Sequence, residues 1–299
     1  MNNFKLKYFV EILKSSTRPL NIIYPIPILQ LLVFSQSKHY LQSFLLTLLF
    51  SFTFYPAVNI WNHVNDIKED ILSGKYNVFA ENEVVKTFGI IFAVILYLLA
   101  LLILLTNLNS SLSLILYAIC LLITWLYSDR IFFGRIIRRF KDHYISELLS
   151  FMVVYPSFTI LLWTFFDDPS IKSIAVALTV LLFVLFGIFI KDMRDISGDE
   201  MAGLKTLGVI FTPEKLLKFA ITSIVLYYIS IAVFTLLGIY SFYTTVALIP
   251  LIPTVYSILN LSRECWTISI DTITHLKRIM LSNMISLGLL ILTGFLSQP

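Results

Sequence analysis

The sequence predicts an all-α integral membrane protein in which nine transmembrane helices form a single bundle. Three observations carry that fold class. Of the 299 residues, 58% are hydrophobic and only 13% are charged, a balance outside the range of soluble globular domains. Apolar runs of roughly 17–25 residues, the length that crosses a bilayer as helix, recur along the whole chain. Lys and Arg are confined almost entirely to one alternating set of the segments between those runs.

The first span is read over Pro19–Ser35. It follows an amphipathic start, MNNFKLKYFVEILKSSTRPL, with no small-residue cleavage site ahead of an apolar core, so this start is not read as a signal peptide. The second span covers Tyr40–Trp61 and the third Thr87–Leu105, with a charged segment between them. The fourth, Leu112–Tyr127, and the fifth, Ser146–Phe165, flank a basic loop. The sixth, Ile171–Ile190, runs into the charged passage KDMRDISGDEMAGLKTLGV, Lys191–Val209. The seventh is Phe219–Leu237. The eighth, Tyr240–Leu259, is interrupted by Pro250 and Pro253, and the ninth is Ile279–Leu296. No stretch is left for a separate soluble domain, so residues 1–299 are read as one membrane domain.

If the spans alternate in direction, 20 of the 22 Lys and Arg fall on one face, and only Lys38 and Lys172 on the other. That bias is the positive-inside signal and predicts a cytoplasmic location for the charged loops of a multi-pass cell-membrane protein. The acidic residues follow the same face except for Asp167 and Asp168. Positive-inside is a Lys/Arg rule, so the carboxylates need another reason to be there.

They gather in two places at matching depth. After the second span, Asn62, Asp66 and Asp70 recur at i, i+4, i+8, one stripe of a helix, with Asn65 and Glu69 one step round. After the sixth, Asp192, Asp195 and Asp199 recur at i, i+3, i+7. Like charges at the edge of lipid repel and lose solvation, an arrangement that becomes favourable around a divalent cation. Asp and Asn oxygens suit Mg²⁺, which keeps part of its shell for water and substrate phosphates. Two such clusters facing each other would clamp a diphosphate. The nearby cations Lys68, Lys191, Arg194, Lys205, Arg135, Arg138 and Arg139 are placed to neutralise it.

In these residues the chain resembles the UbiA-type intramembrane prenyltransferases. That family carries NxxxDxxxD after its second helix and DxxxD after its sixth, in a nine-helix bundle. Here these read Asn62-xxx-Asp66-xxx-Asp70 and Asp195-xxx-Asp199. The passage from Lys191 to Val209 resembles the family phrase KDxxDxxGDxxxGxxTLxV across nearly its full length, including Gly203, Thr206 and Leu207. Tyr127–Ser128 ahead of the basic loop resembles a further family loop, whose lysine maps to Arg135, Arg138 or Arg139, and Arg18–Asn21 (RPLN) is a weaker echo. The chain departs from the family where it reads GKYNVF in place of KPxRP and lacks Pro-Pro-Leu after the Tyr-Ser pair. Anchoring the first motif on Asn65 instead would put Glu69 and Ser73 at aspartate positions.

The resemblance implies Mg²⁺-dependent transfer of a polyprenyl group from an allylic diphosphate, geranylgeranyl or longer, to an aromatic quinone precursor or a glycerol-phosphate lipid. It implies metal ligation by Asn62, Asp66, Asp70, Asp192, Asp195 and Asp199. Catalytic roles then fall to Asp66, Asp70, Asp195, Asp199 and Tyr127, and diphosphate contacts to Asn62, Asn65, Lys68, Arg138, Arg139, Lys191 and Lys205. His63 is read as a polar neighbour of the cluster. The loops LSGKYN and SGDEMAG are candidates for a lid. Nucleic acid is not an expected partner. Two rival readings are an ion-coupled transporter and a catalytically silent relative. Cys120 in a span and Cys265 in a loop imply neither a disulfide framework nor a zinc site.

Overall fold

The computed structural model describes residues 8–14, 24–38, 40–107, 110–267 and 269–297. Residues 8–14 are helical. A wide turn at Tyr24–Ile28 leads into α1 (Leu29–Gln36), followed by α2 (Leu41–Asn65) and the short α3 (Ile67–Leu72). Then come α4 (Glu83–Leu105), α5 (Ser111–Ser128), α6 (Tyr144–Trp163), α7 (Ile171–Met201) and the single turn α8 (Leu207–Ile210). The chain ends with α9 (Pro213–Leu236), a tight 3₁₀ stretch Phe242–Leu248 continuing into α10 (Leu251–Arg263), and α11 (Ile270–Leu296).

Among the described residues, eight helical segments are long and apolar enough to cross a membrane, and the chain is a multi-pass integral membrane protein. They correspond to the second through ninth expected spans. The first expected span, Pro19–Ser35, is described only from Tyr24 onward, and Ile26–Gln36 is apolar helix too short to cross alone. Its remainder, with Arg18–Asn21, lies outside the described residues.

Most helices start where a side chain takes over an orphan backbone donor. Asn82 accepts from Val84 N at 2.8 Å to open α4. Ser170 and Ser173 cap each other's backbone at the start of α7, and Pro213 at the first position of α9 follows the Thr212 cap. The end of α7 is set by Gly203 at φ 72°, a left-handed conformation that glycine adopts without Cβ strain. There Gly203 N donates to Glu200 O at 3.0 Å and Leu204 N to Asp199 O at 3.0 Å, closing a Schellman turn. Gly74, at φ 68°, ends α3 in the same way, with Lys75 N reaching Asp70 O at 2.8 Å.

The helices pack as successive neighbours. α5 lies on α6, α6 on α7 and α7 on α9, and α10 and α11 pair and return to α1. α2 lies against α4 and, more lightly, α5. Buried Phe, Leu, Ile and Val side chains from most of these elements form one large core, and a second, smaller core surrounds Trp61 and Phe79. Trp61 stacks on Trp125 with centroids 3.9 Å apart and donates its indole N–H to Trp125 O at 3.0 Å, which fixes α2 to α5. Two extensions matter for the site. α2 continues past Trp61 to Asn65, and α7 continues past Ile190 to Met201, so both carry polar residues beyond their apolar runs.

Candidate active site

The two acidic clusters line one cavity of about 260 Å³. α2 and α3 contribute Asn59, Asn62, His63, Asp66, Glu69 and Asp70, and α7 contributes Lys191, Asp192, Asp195 and Asp199. Tyr127, Lys141, Glu147, Lys75 and Thr206 also line the cavity, with Ser73, Gly198 and Leu204.

The first motif sits on a broken helix. At Asp66 the backbone leaves the helical region (φ −98°, ψ 16°) between α2 and α3. The four-residue hydrogen bonds nevertheless persist there, Asp66 N to Asn62 O and Asp70 N to Asp66 O, both at 2.9 Å, so the three residues still stack. Ser73, the aspartate position in the alternative alignment, turns its hydroxyl back to Glu69 O at 2.7 Å. The second motif lies on unbroken helix, and Asp199 Oδ2 accepts from Thr206 Oγ1 at 2.9 Å.

The chain's own cations pair with most of these carboxylates. Asp66 accepts from Lys141 at 2.5 Å and from Arg139 at 3.2 Å. Glu69 pairs with Arg139 at 2.6 Å and with Arg130, and Asp142 with Arg139 at 2.6 Å. Asp70 accepts from Asn77 Nδ2 at 2.8 Å and lies 3.6 Å from His63 Nδ1. Across the cavity, Lys75 from the loop after α3 reaches Asp195 at 3.2 Å, and Lys191 lies 3.5 Å from the same carboxylate. Burial alone would raise the Glu69 carboxyl, but the Arg139 and Lys141 charges and the Arg139 hydrogen bond outweigh it and hold the group below its ordinary value. Asp70 is likewise held low, the His63 and Asn77 hydrogen bonds overcoming burial.

Among the described residues, no three His, Cys, Asp or Glu side chains already converge on a cation position. Three buried oxygens of the cavity wall, Asn62 Oδ1, Glu69 Oε2 and Asp192 Oδ2, have no hydrogen-bond partner among the described residues. Buried acceptors are rarely left unpaired, and hard oxygens of this kind suit a small divalent cation with phosphate oxygens in its shell. The donor set fits Mg²⁺ as an ion that arrives with an anionic ligand.

Of the residues singled out from the sequence, Asn62, Asp66, Asp70, Tyr127, Lys191, Asp192, Asp195 and Asp199 line the cavity. Arg139 stands behind it, its side chain 1% exposed, and supports Asp66 and Glu69. Asn65, Lys68, Arg138 and Lys205 are not in the wall. Asn65 donates to Trp61 O and accepts from Arg130 N, both at 2.8 Å, a structural joint between α2 and the basic loop. Lys68 lines a separate cavity with Arg130, and Arg138 is exposed. Lys205 pairs through its backbone with Asp142 O at 3.1 Å and Tyr144 N at 2.7 Å. The side chain of Arg135 lies outside the described residues.

The sequence reading gave no binding role to the wall residues Lys75, Lys141 and Glu147, and took Thr206 only as part of a motif match. Glu147 is buried, accepts from Tyr127 Oη at 3.2 Å through Oε1 and from Leu207 N at 3.1 Å through Oε2. A lone acid at the start of an otherwise apolar span was its available signal.

A second cavity of about 380 Å³ continues from the first, sharing Asn59, Asn62, Tyr127 and Lys191. Its remaining wall is mostly apolar, with Phe54, Val58, Val154, Phe158 and Ile188 among the lining residues. A charged chamber opening into a greasy one within a helical membrane bundle has the shape and chemistry that suit an amphiphile with an anionic head. The UbiA prenyltransferase family model matches residues 24–287, and the chain belongs to that family. A protein of Archaeoglobus fulgidus described as uncharacterized is 34% identical over 273 residues, 89% of this chain and 92% of its own. The fold is shared with a UbiA homolog from Archaeoglobus fulgidus solved bound to GPP and Mg²⁺ (TM-score 0.55, 17% identity, 93% of this chain and 98% of that one). A structure of a UbiA homolog from that organism bound to DMAPP and Mg²⁺ is similar to the same degree (TM-score 0.53, 15% identity, covering 93% and 97%).

Proposed function

We propose that the chain transfers a prenyl group from an allylic prenyl diphosphate to an acceptor within the membrane, with diphosphate and Mg²⁺ in the charged cavity and the prenyl tail in the apolar one. The observation that carries this reading is the shared wall: Asn59, Asn62, Tyr127 and Lys191 face both chambers. An amphiphile lying across that wall would place its carbon–oxygen ester bond beside Tyr127 and Lys191. The UbiA homologs solved bound to GPP or DMAPP with Mg²⁺ support the same ligand class.

Binding is an exchange of partners. Lys75, Lys141 and Lys191 leave the carboxylates they now contact for the oxygens of the incoming diphosphate. The oxygens freed on Asp66 and Asp195, with those of Asp70 and Asp199 and the unpaired Asn62 Oδ1 and Asp192 Oδ2, would hold the cation. Mg²⁺ bound there would supply Lewis-acid stabilisation of the leaving diphosphate. As the allylic C–O bond breaks, its electron pair leaves with the diphosphate, and Lys191 and Lys141 stabilise the charge that develops. The Tyr127 ring, held by Glu147, presents a π face to the allylic cation, and the apolar wall keeps water from it. The acceptor then takes up the prenyl carbon and loses a proton. A quinone-type aromatic ring and a glycerol phosphate both meet that chemical requirement, and the charge bias of the loops supports a reaction at the cytoplasmic face.

The transporter reading is disfavoured by position. Its sites usually lie near the bilayer midplane, whereas this cavity lies at the polar ends of α2 and α7. The test is Mg²⁺-dependent release of diphosphate from a prenyl donor in nanodiscs with a panel of acceptors. Asp66→Asn and Asp195→Asn should each lower the rate by about 10²-fold or more, as expected for loss of charge stabilisation in the transition state. Full activity in both variants would sink the proposal.

A further inference from the structure

The apolar cavity ends in a wall of rings. Phe54 and Phe158, 2% and 4% exposed, meet there with centroids 5.3 Å apart. Tyr55 packs edge-on to Phe158 at 5.1 Å, and Phe50 backs the pair at 5.7 and 5.9 Å. Tyr97 and Tyr117 close on Phe54 at 5.5 and 6.0 Å. The rear rings are anchored, since Tyr117 Oη donates to Tyr97 O at 2.6 Å and Tyr97 Oη pairs with Thr124 Oγ1 at 3.2 Å. Rings interlocked from α2, α4, α5 and α6 form a packed layer that resists displacement by a ligand.

The depth of the chamber follows from helix geometry. Asn62 lines both chambers, Ser150 lies one helical turn from Glu147 of the charged one, and Phe54 and Phe158 lie at the far end. From Asn62 to Phe54 on α2, and from Ser150 to Phe158 on α6, each helix advances about 12 Å at about 1.5 Å per residue. One isoprene unit, four zigzag carbon–carbon bonds of roughly 1.5 Å, advances about 5 Å. Two units therefore fit between the shared wall and the rings, and a third meets them. Resting on the prenyl-transfer reading above, we propose that Phe54 and Phe158 are the length-determining residues and that the preferred donor carries two isoprene units. This donor is shorter than the geranylgeranyl or longer chain expected from the sequence. Steric fit sets the limit because the tail arrives from a bilayer as apolar as the chamber, so longer chains gain little from burial.

The test measures binding to the full chain in nanodiscs, with Mg²⁺ and unreactive thiolo-diphosphate analogues of dimethylallyl, geranyl, farnesyl and geranylgeranyl chains. Geranyl should bind tightest, and geranylgeranyl weaker by about tenfold, the fold-change of a modest overpacking penalty. Phe158→Ala should move the optimum to farnesyl. Phe158→Leu, a milder change that keeps the fold if the alanine variant does not, should narrow the gap between geranyl and farnesyl. Equal or tighter binding of geranylgeranyl by the wild-type chain would overturn the length limit while leaving the prenyl-diphosphate reading intact. An unchanged preference in the Phe158 variants would also overturn it. Failure of all four analogues to bind would overturn both.

Discussion

Arg139 is the cation on which the basic loop is built, and replacing it with Gln is a direct test of that role. Its guanidinium is 1% exposed and is held by Glu69 at 2.6 Å, Asp142 at 2.6 Å and Asp66 at 3.2 Å. Removing one partner of a buried ion pair costs roughly 3–5 kcal/mol when the other charge is left uncompensated. Here the loss is smaller, because Glu69 keeps Arg130, Asp66 keeps Lys141, and Asp142 is partly solvated. About 2–3 kcal/mol is expected, in line with one or two lost charged hydrogen bonds. Unfolding of the two proteins in mixed micelles, followed by Trp fluorescence, measures the difference. A cycle with Glu69→Gln should give a coupling of about 1.5 kcal/mol or more. The cluster also fixes the pH dependence. The folded Glu69 carboxyl lies below its ordinary value, so its contribution is fully present at neutral pH and is lost as pH falls through the folded value. The gap between wild type and Arg139→Gln should therefore shrink below about pH 4. A loss under about 0.5 kcal/mol, or a gap that widens in acid, would refute the reasoning.

Other outcomes follow from the same geometry. Glu147→Ala should cut turnover by about tenfold, the worth of one buried hydrogen bond to Tyr127, with Glu147→Gln recovering most of it because Gln can still accept from Tyr127. An equal loss of turnover in both variants, or a change in KM with turnover intact, would remove Glu147 from its positioning role. Gly198→Val should weaken the contact between α3 and α7, because a Cβ at Gly198 would come within 2.8 Å of Ser73 Cβ; donor affinity then falls, read by the same analogue titration. Gly203→Ala adds no clash but forces a side chain into φ 72°, at a cost of about 1 kcal/mol in the same unfolding assay.

The helices of this protein were legible because lipid leaves hydropathy as the dominant signal, and the second through ninth apolar runs each fall on a spanning segment. Their ends were less legible. Hydropathy stops at Ile190, yet α7 runs to Met201, because a helix needs only its backbone bonds and a terminator, here Gly203, to continue into a polar face. The acidic residues could be placed on one side of each helix from periodicity alone, and they do line one cavity. Asn65 shows the limit: it lies one step from Asp66, but turns to Trp61 and Arg130, a choice made by α5 and the loop after it. Lys75, Lys141 and Glu147 reach the cavity only through contacts distant in sequence, which spacing does not encode. The assignment of Arg138 fails to reach the wall for the same reason, with Arg139 and Lys141 turned to Asp66 instead.

The central claim is that Asn62, Asp66, Asp70 and the α7 aspartates share one cation–diphosphate complex whose tail enters the neighbouring apolar chamber. A structure of the chain with geranyl thiolo-diphosphate and Mn²⁺, located by anomalous scattering, tests it most directly. Metal is expected between the α2–α3 junction and α7, within about 2.0–2.3 Å of oxygens from both motifs, a distance typical of hard octahedral cations. The first prenyl carbons are expected beside Tyr127 and the chain end against Phe54 and Phe158. A metal bound elsewhere, or a diphosphate seated without contact to either motif, would contradict the claim.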